Sequence, residues 1–372
     1  MSRPVIITAG GTGGHMFPAL ALEAELKRRG QAVALVCDRR GARYLSTDVE
    51  SHVIRAASPS GSLVQRLKGL AELAVGFGQS VALIRRLRPT AVAAFGGYAA
   101  VPVALAAQLL KVPVLVHEQN AVLGKANRLI ARRAAQLALS FAETAATGTV
   151  AAERRLVTGN PVRDEVAALQ AEAYAPLGEA ERLRVLVVGG SQGARVLSDV
   201  LPAAIALLDD AARARIELTQ QCRPEDLERV GAAYAEIDFA AELQTFFDDL
   251  PERMAAAHLI VSRSGASSVA EILALGRPAL FVPYRFAMDD HQRANAEASV
   301  AAGAAWVIGE AELTPERVAA KLKSCLDRPD LLVDMTQRAR GLGRRDAASA
   351  LADALSALIA RSPANLPLEA LA

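Results

Sequence analysis

A short apolar, β-branched run that ends in a cluster of glycines and turns directly into a helix-like stretch occurs twice in this chain. Val5-Ile6-Ile7-Thr8 leads to Gly10-Gly11-Thr12-Gly13-Gly14, and Arg184-Val185-Leu186-Val187-Val188 leads to Gly189-Gly190-Ser191-Gln192-Gly193. Glycine permits the tight turn, and a helix that folds back on its strand begins a parallel α/β unit. Further strand candidates follow each start, at residues 32–37, 91–95 and 114–117 in the first half and 216–219, 259–262, 279–282 and 305–308 in the second. Strands alternating with Ala/Leu-rich helical stretches predict a parallel, doubly wound sheet in each half.

A length of 372 residues exceeds what one hydrophobic core usually serves, which also favours two domains. The turn Thr158-Gly159-Asn160-Pro161-Val162-Arg163, after a short strand near 155–158, marks the hinge. The expected domains are therefore 1–160 and 161–345. An amphipathic helix at 346–361 needs an apolar surface and is expected to return to the first domain.

The net charge of +2 gives no global basic field, so nucleic acid is not an indicated partner. Cys37, Cys222 and Cys325 are odd in number and widely separated, which reads as free thiols in a reducing compartment. The apolar stretch before Gly10 is too short for a signal-peptide core. Residues 91–110 carry no charge over 20 positions, yet Gly96-Gly97 and Pro102 interrupt them, which predicts a buried strand, turn and helix instead of a membrane span.

Glycine-rich turns at helix starts let a backbone approach a phosphate, where unpaired N–H groups and the helix dipole favour an anion. Taken singly, either turn could serve tightness alone. A dinucleotide site is disfavoured because Met16 occupies the third glycine position of the fingerprint, although Asp38 stands where a ribose-binding acid would; no P-loop motif occurs. Polar groups follow several strand candidates, where open α/β sheets place their ligands: Gly96-Gly97-Tyr98, His117-Glu118-Gln119-Asn120, Ser262-Arg263-Ser264-Gly265 before a helix carrying Glu271, and Asp289-Asp290-His291-Gln292-Arg293-Ala294-Asn295. Each has an ordinary structural alternative as a solvated loop or helix cap. A carboxylate such as Glu271 can accept both hydroxyls of a ribose. No Asp-x-Asp occurs and the histidines lack paired spacing, so no metal site is expected and the glycine-turn amides would carry a diphosphate.

Together these ordered segments closely resemble the MurG family of bacterial peptidoglycan transferases, within glycosyltransferase family 28. The resemblance runs through almost the whole chain in register, from Gly10-Gly11-Thr12-Gly13-Gly14-His15 to Gln292 and Asn295. It implies an α/β fold of GT-B type, with two Rossmann-like doubly wound parallel-sheet domains facing a central cleft. The first domain would take the acceptor and the second UDP-N-acetylglucosamine. The implied reaction moves N-acetylglucosamine, with inversion, to the 4-hydroxyl of the MurNAc-pentapeptide of undecaprenyl-pyrophosphate lipid I, forming lipid II, without a cofactor. A sugar-nucleotide epimerase of similar architecture and a silent UDP-sugar-binding scaffold are the alternatives.

By the same resemblance, Ser191 and its loop would hold the donor diphosphate, Phe247 would lie beside the uracil and Glu271 would bind the ribose. Ala266, Ser267, Ser268, Val269, Ala270, Gln292, Asn120 and Arg163 would line the donor-sugar site. Thr12, Gly13, Gly14 and His15 would face the junction of donor and acceptor, with Tyr98 on the acceptor side. Ser267 and Ser268 replace a Leu-Thr pair of some members, and His291 stands where some have Gln. His15 and Glu118 are the two candidates for the general base; imidazole accepts a proton near neutral pH, which favours His15. Residues 62–88 combine Leu63, Leu67, Leu70, Leu73 and Phe77 with Arg66, Lys68, Arg85, Arg86 and Arg88. They are expected to hold the chain peripherally on the anionic cytoplasmic face of the inner membrane, the alternative being a core-facing helix. Cell-wall synthesis and division complexes are the further partners that the resemblance implies.

Overall fold

The computed structural model describes residues 3–45, 49–190 and 193–361. They form two compact units, one running to Arg163 and resuming at Asp346, the other spanning Asp164–Arg345.

The first unit carries seven parallel strands: β1 Val5–Ala9, β2 Val33–Cys37, β3 Glu50–Val53, β4 Ala91–Ala94, β5 Val114–Glu118, β6 Gln136–Leu139 and β7 Arg155–Val157, in the order β3-β2-β1-β4-β5-β6-β7. β1 sits beside both β2 and β4, with Val5 opposite Val33 on one side and Ala91 on the other. Its five residues are all buried, as a strand covered on both faces must be. Alternate residues feed two separate cores. Ile6, Val36, Val92, Val116 and Leu137 face the helices Leu63–Leu87, Ala100–Leu109 and Lys125–Ala131. Val5, Ile7, Leu35, Ala93 and Leu115 face Met16, Ala19, Leu22 and Leu26 of the helix Gly13–Arg28, together with Leu351, Ala352 and Leu355 of the C-terminal helix Ala347–Ala360. Arg29 pairs with Asp353 at 2.5 Å where these two helices meet. The uncharged run 91–110 is indeed a buried strand, a turn and a helix.

The second unit has six parallel strands: β8 Leu183–Val188, β9 Ile216–Gln221, β10 Ala241–Gln244, β11 Leu259–Ser262, β12 Ala279–Phe281 and β13 Ala305–Val307, in the order β10-β9-β8-β11-β12-β13. In both sheets the order reverses beside the first strand, at β1/β4 and at β8/β11. That reversal is where doubly wound sheets open a crevice at their carboxyl ends. All three cysteines are buried and unpaired by disulfide.

Candidate active site

The end of β1 meets the end of β4 backbone to backbone. The Gly10 amide donates to the Gly96 carbonyl at 2.9 Å, and a Cβ on Gly10 would lie 2.7 Å from the Gly97 Cα. Gly97 has φ +71°, so only glycine suits both the contact and the conformation. Thr12 then caps the helix Gly13–Arg28, accepting the amides of His15 and Met16 at its own carbonyl. This turn places His15, half-buried, beside Gly97. Thr12 and Gly14 are exposed, Gly13 is buried and Tyr98 is half-buried.

Asp38, the acid at the end of the neighbouring strand, is committed to its own loop. It accepts the Gly41 amide at 2.9 Å and pairs with Arg40 at 2.9 Å. Its position is that of a turn-stabilising group.

The end of β5 supplies the polar side chains. Glu118 is buried, and each of its carboxylate oxygens accepts two hydrogen bonds. One takes the Asn120 amide at 3.0 Å and the Asn120 side chain at 3.2 Å; the other takes the Gly124 amide at 2.9 Å and Asn127 Nδ2 at 2.8 Å. Gln119 and His117, also buried, form a line of contacts that ends on His15. His117 Nε2 lies 3.0 Å from the Gly159 carbonyl, Gln119 Nε2 3.0 Å from His117 Nδ1, and Gln119 Oε1 3.0 Å from His15 Nδ1. Burial pushes the His117 pKa down to about 4, so this imidazole is neutral at physiological pH. The Arg163 guanidinium stacks 5.3 Å over the Phe17 ring, two residues beyond His15. Thr12, Gly13, Gly14, His15, Glu118 and Asn120 thus gather around the adjacent ends of β1, β4 and β5.

In the second unit the turn after β8 is as tight as the first. Gly190 and Gly193 have φ of +79° and +69°, and a Cβ on Gly189 would meet the Ala194 amide nitrogen at 2.4 Å. The helix Arg195–Ala206 follows. Ser191, the expected diphosphate contact, lies outside the described residues. After β11, Gly265 caps the helix Ala266–Ala274, which carries Ser267, Ser268, Val269, Ala270 and the buried Glu271.

The loops after β11 and β12 are tied to the helix His291–Ala301 beside that helix start. Ser264 Oγ donates to the Gln292 carbonyl at 2.7 Å, Asn295 Nδ2 donates to the Ser264 carbonyl at 3.0 Å, and Gln292 Oε1 accepts the Tyr284 amide at 2.9 Å. Arg263, almost fully buried, donates to the Val282 carbonyl at 3.0 Å, pairs with Glu310 and lies 5.3 Å over the Tyr284 ring. Ser267 Oγ is buried with no protein partner. Phe247 sits between β10 and the helix Leu250–Ala256, buried, with the Arg253 guanidinium 4.6 Å over its ring; the neighbouring Phe246 is exposed. Among the described residues no three His, Cys, Asp or Glu side chains converge on a common point.

The sequence motifs missed Gly124 and Asn127, which bond back to Glu118 from six and nine residues on, and Glu310, the partner of Arg263; Gly159 and Arg263 stood in motifs without the partners that the fold gives them, His117 and Glu310. Gln119 stood out only as one polar residue among four.

Two parallel-sheet α/β units, each opening on a glycine-rich strand-to-helix turn, give this chain the two-domain architecture of the GT-B fold. Two family models match it: the glycosyltransferase family 28 N-terminal domain over residues 5–139 and the family 28 C-terminal domain over 184–351. A UDP-N-acetylglucosamine–N-acetylmuramyl-(pentapeptide) pyrophosphoryl-undecaprenol N-acetylglucosamine transferase of Rhodospirillum rubrum is 49% identical over 95% of this chain and 91% of its own. The crystal structure of Acinetobacter baumannii MurG superposes with a TM-score of 0.77 at 30% identity, covering 95% of this chain and 99% of that one. The chain belongs to glycosyltransferase family 28. A UDP-GlcNAc 2-epimerase from Neisseria meningitidis shares the fold at a TM-score of 0.65 but only 15% identity, covering 95% of this chain and all of that one.

Proposed function

We propose that this chain transfers N-acetylglucosamine from UDP-N-acetylglucosamine to the 4-hydroxyl of the MurNAc-pentapeptide of lipid I, yielding lipid II and UDP with inversion at the anomeric carbon. The observation that carries the reading is 49% identity, over 95% of this chain, to a transferase named for that reaction. The epimerase likeness is one of fold and brings no reaction with it.

His15 is the general base on this reading. Glu118 has both oxygens committed to four donors, so taking a proton would break bonds that hold the 118–127 loop. Its role is to shape that loop and to aim Asn120. In the second unit, the glycine turn after β8 and the start of Arg195–Ala206 receive the diphosphate, and Glu271 takes the ribose hydroxyls. The start of Ala266–Ala274, with Gln292, lines the sugar. Arg163 and Tyr98 border the donor and acceptor sides respectively.

The chain also sits on an anionic membrane surface, consistent with a lipid-linked acceptor. The helix Leu63–Leu87 exposes Leu63, Val64, Leu67 and Leu70 together with Arg66 and Lys68, and Arg85 and Arg86 are exposed at its far end. It is long and apolar enough to cross a bilayer by length and composition. Its charged residues at both ends suit it instead to lie along the interface.

Acceptor dependence tests the reaction. UDP release should require lipid I and should persist in EDTA. Consumption of UDP-N-acetylglucosamine without acceptor would support an epimerase, binding without turnover a sensor, and loss of activity on chelation restored by Mg²⁺ a metal-borne diphosphate.

A further inference from the structure

The contacts that end on His15 have a direction fixed at two places by backbone carbonyls. A carbonyl only accepts, so His117 Nε2, 3.0 Å from the Gly159 oxygen, must carry its proton. With burial keeping His117 neutral, its Nδ1 then holds a lone pair. The Gln119 side-chain nitrogen lies 3.0 Å from that lone pair and 3.2 Å from the His117 carbonyl. Both neighbours accept, so the amide presents its NH₂ to them and its oxygen to the other side. That oxygen is 3.0 Å from His15 Nδ1.

We propose that Gln119 is a positioning residue, which holds the proton of neutral His15 on Nδ1 and thereby leaves the lone pair on Nε2, the nitrogen that takes the acceptor proton. The inference rests on His15 being the base. Imidazole in water favours the opposite tautomer, so without Gln119 most His15 would carry its proton on the reacting nitrogen. Fixing the tautomer through the second nitrogen is how a neighbouring group prepares a histidine base. In the reaction the acceptor O4–H bond breaks as Nε2–H forms. O4 bonds to the anomeric carbon, and the electron pair of the old glycosidic bond leaves with the UDP phosphate oxygen. His15 becomes imidazolium while Gln119 Oε1 goes on accepting from Nδ1–H, and no proton moves along the chain of contacts.

His117 and Gln119 are both enclosed. The groups that bond or stack on His117 are Gln119, the Phe95 ring at 5.1 Å, the Gly159 carbonyl and Asn127, which donates to the His117 carbonyl at 3.2 Å, with the His15 imidazole beyond Gln119. None of these is anionic, and the carboxylate of the adjacent Glu118 is taken up by four donors of its own loop.

The test reads the tautomer directly. With histidine ¹⁵N-labelled in the full chain, the five imidazoles are few enough to resolve, and His15→Ala assigns the signal. Wild type should show Nδ1 protonated and Nε2 bare. Gln119→Met, similar in shape but unable to accept strongly, should move His15 toward the Nε2–H form and lower kcat by roughly five- to tenfold with an unchanged KM for UDP-N-acetylglucosamine. An Nε2–H signal in wild type, which needs no variant to fold, would overturn the proposal. So would an unchanged tautomer in Gln119→Met. If the tautomers behave as stated but His15→Ala keeps the acidic limb of the rate profile, it is the assignment of the base that fails.

Discussion

Removing the His15 imidazole takes away the proton acceptor that the ends of β1 and β5 hold in place, while the second unit's glycine turn and Glu271 remain as they are. His15→Ala should therefore lower kcat by about 10²–10⁴-fold, the usual scale of general base catalysis, and leave donor binding nearly unchanged. The acidic limb of the rate profile should vanish. Glu118→Gln puts an NH₂ among four donors and should cost roughly 1–3 kcal/mol of stability while the limb survives. If the limb survives His15→Ala and is lost in Glu118→Gln, the two roles are reversed. The sequence marks His117 to Asn120 as polar residues after an apolar strand, but it does not say where each points. His15 and Gln119 are 104 positions apart, and His117 finds its carbonyl 42 residues on, so the division of labour within this segment exists only once the sheet has assembled.

Burial of neutral His117 also links stability to pH. Its folded pKa of about 4 lies below the unfolded value near ~6.5, so between those values the unfolded chain binds more protons and the free energy of unfolding rises with pH. This contribution is complete above the unfolded pKa and is lost as the pH falls toward the folded one. Urea unfolding at pH 7 and at pH 5 should differ by roughly 2 kcal/mol on this account, and His117→Gln should remove that part of the difference. Identical acid sensitivity in the two proteins would show that His117 is not buried neutral.

At the scale of elements, the strands that read most plainly from sequence are those covered on both faces, although the short edge strands β7 and β13 are legible too. β1, β4 and β11 have every residue buried, and Thr8 and Ser262 are the polar ones among them. The strands it did not reveal are β3, β10 and β6. β3 and β10 are edge strands, and Glu50-Ser51-His52-Val53 and Ala241-Glu242-Leu243-Gln244 have few residues to bury. β6, Gln136-Leu137-Ala138-Leu139, is short and follows its helix closely. The helix Leu63–Leu87 shows the opposite case, in which composition leaves two readings and exposure separates its parts. Leu83 and Ile84 are buried against the sheet, whereas Leu63, Val64, Leu67 and Leu70 are more than half exposed. Its exposed end is the part expected to meet lipid. Binding to liposomes containing phosphatidylglycerol should weaken with salt and with charge reversal of Arg66 and Lys68, the cations of that end. Binding indifferent to anionic lipid would leave the apolar stripe without a membrane role.

For the whole molecule, the repeated strand, glycine turn and helix was sufficient to indicate two doubly wound units, because each turn has to start a parallel sheet whose remaining strands alternate with helices. The family relation supplies what the fold alone does not, since a 2-epimerase shares the architecture at 15% identity. Between the two chemistries the discriminating event is the fate of the sugar. The most direct measurement follows α-linked UDP-N-acetylglucosamine, labelled at the anomeric carbon, incubated with lipid I and the full chain, with the products analysed by NMR and mass spectrometry. The account predicts UDP and a lipid-linked disaccharide in a β1→4 linkage, formed only with acceptor present. Sugar inverted at C2 without any acceptor, or an α-linked disaccharide, would contradict it.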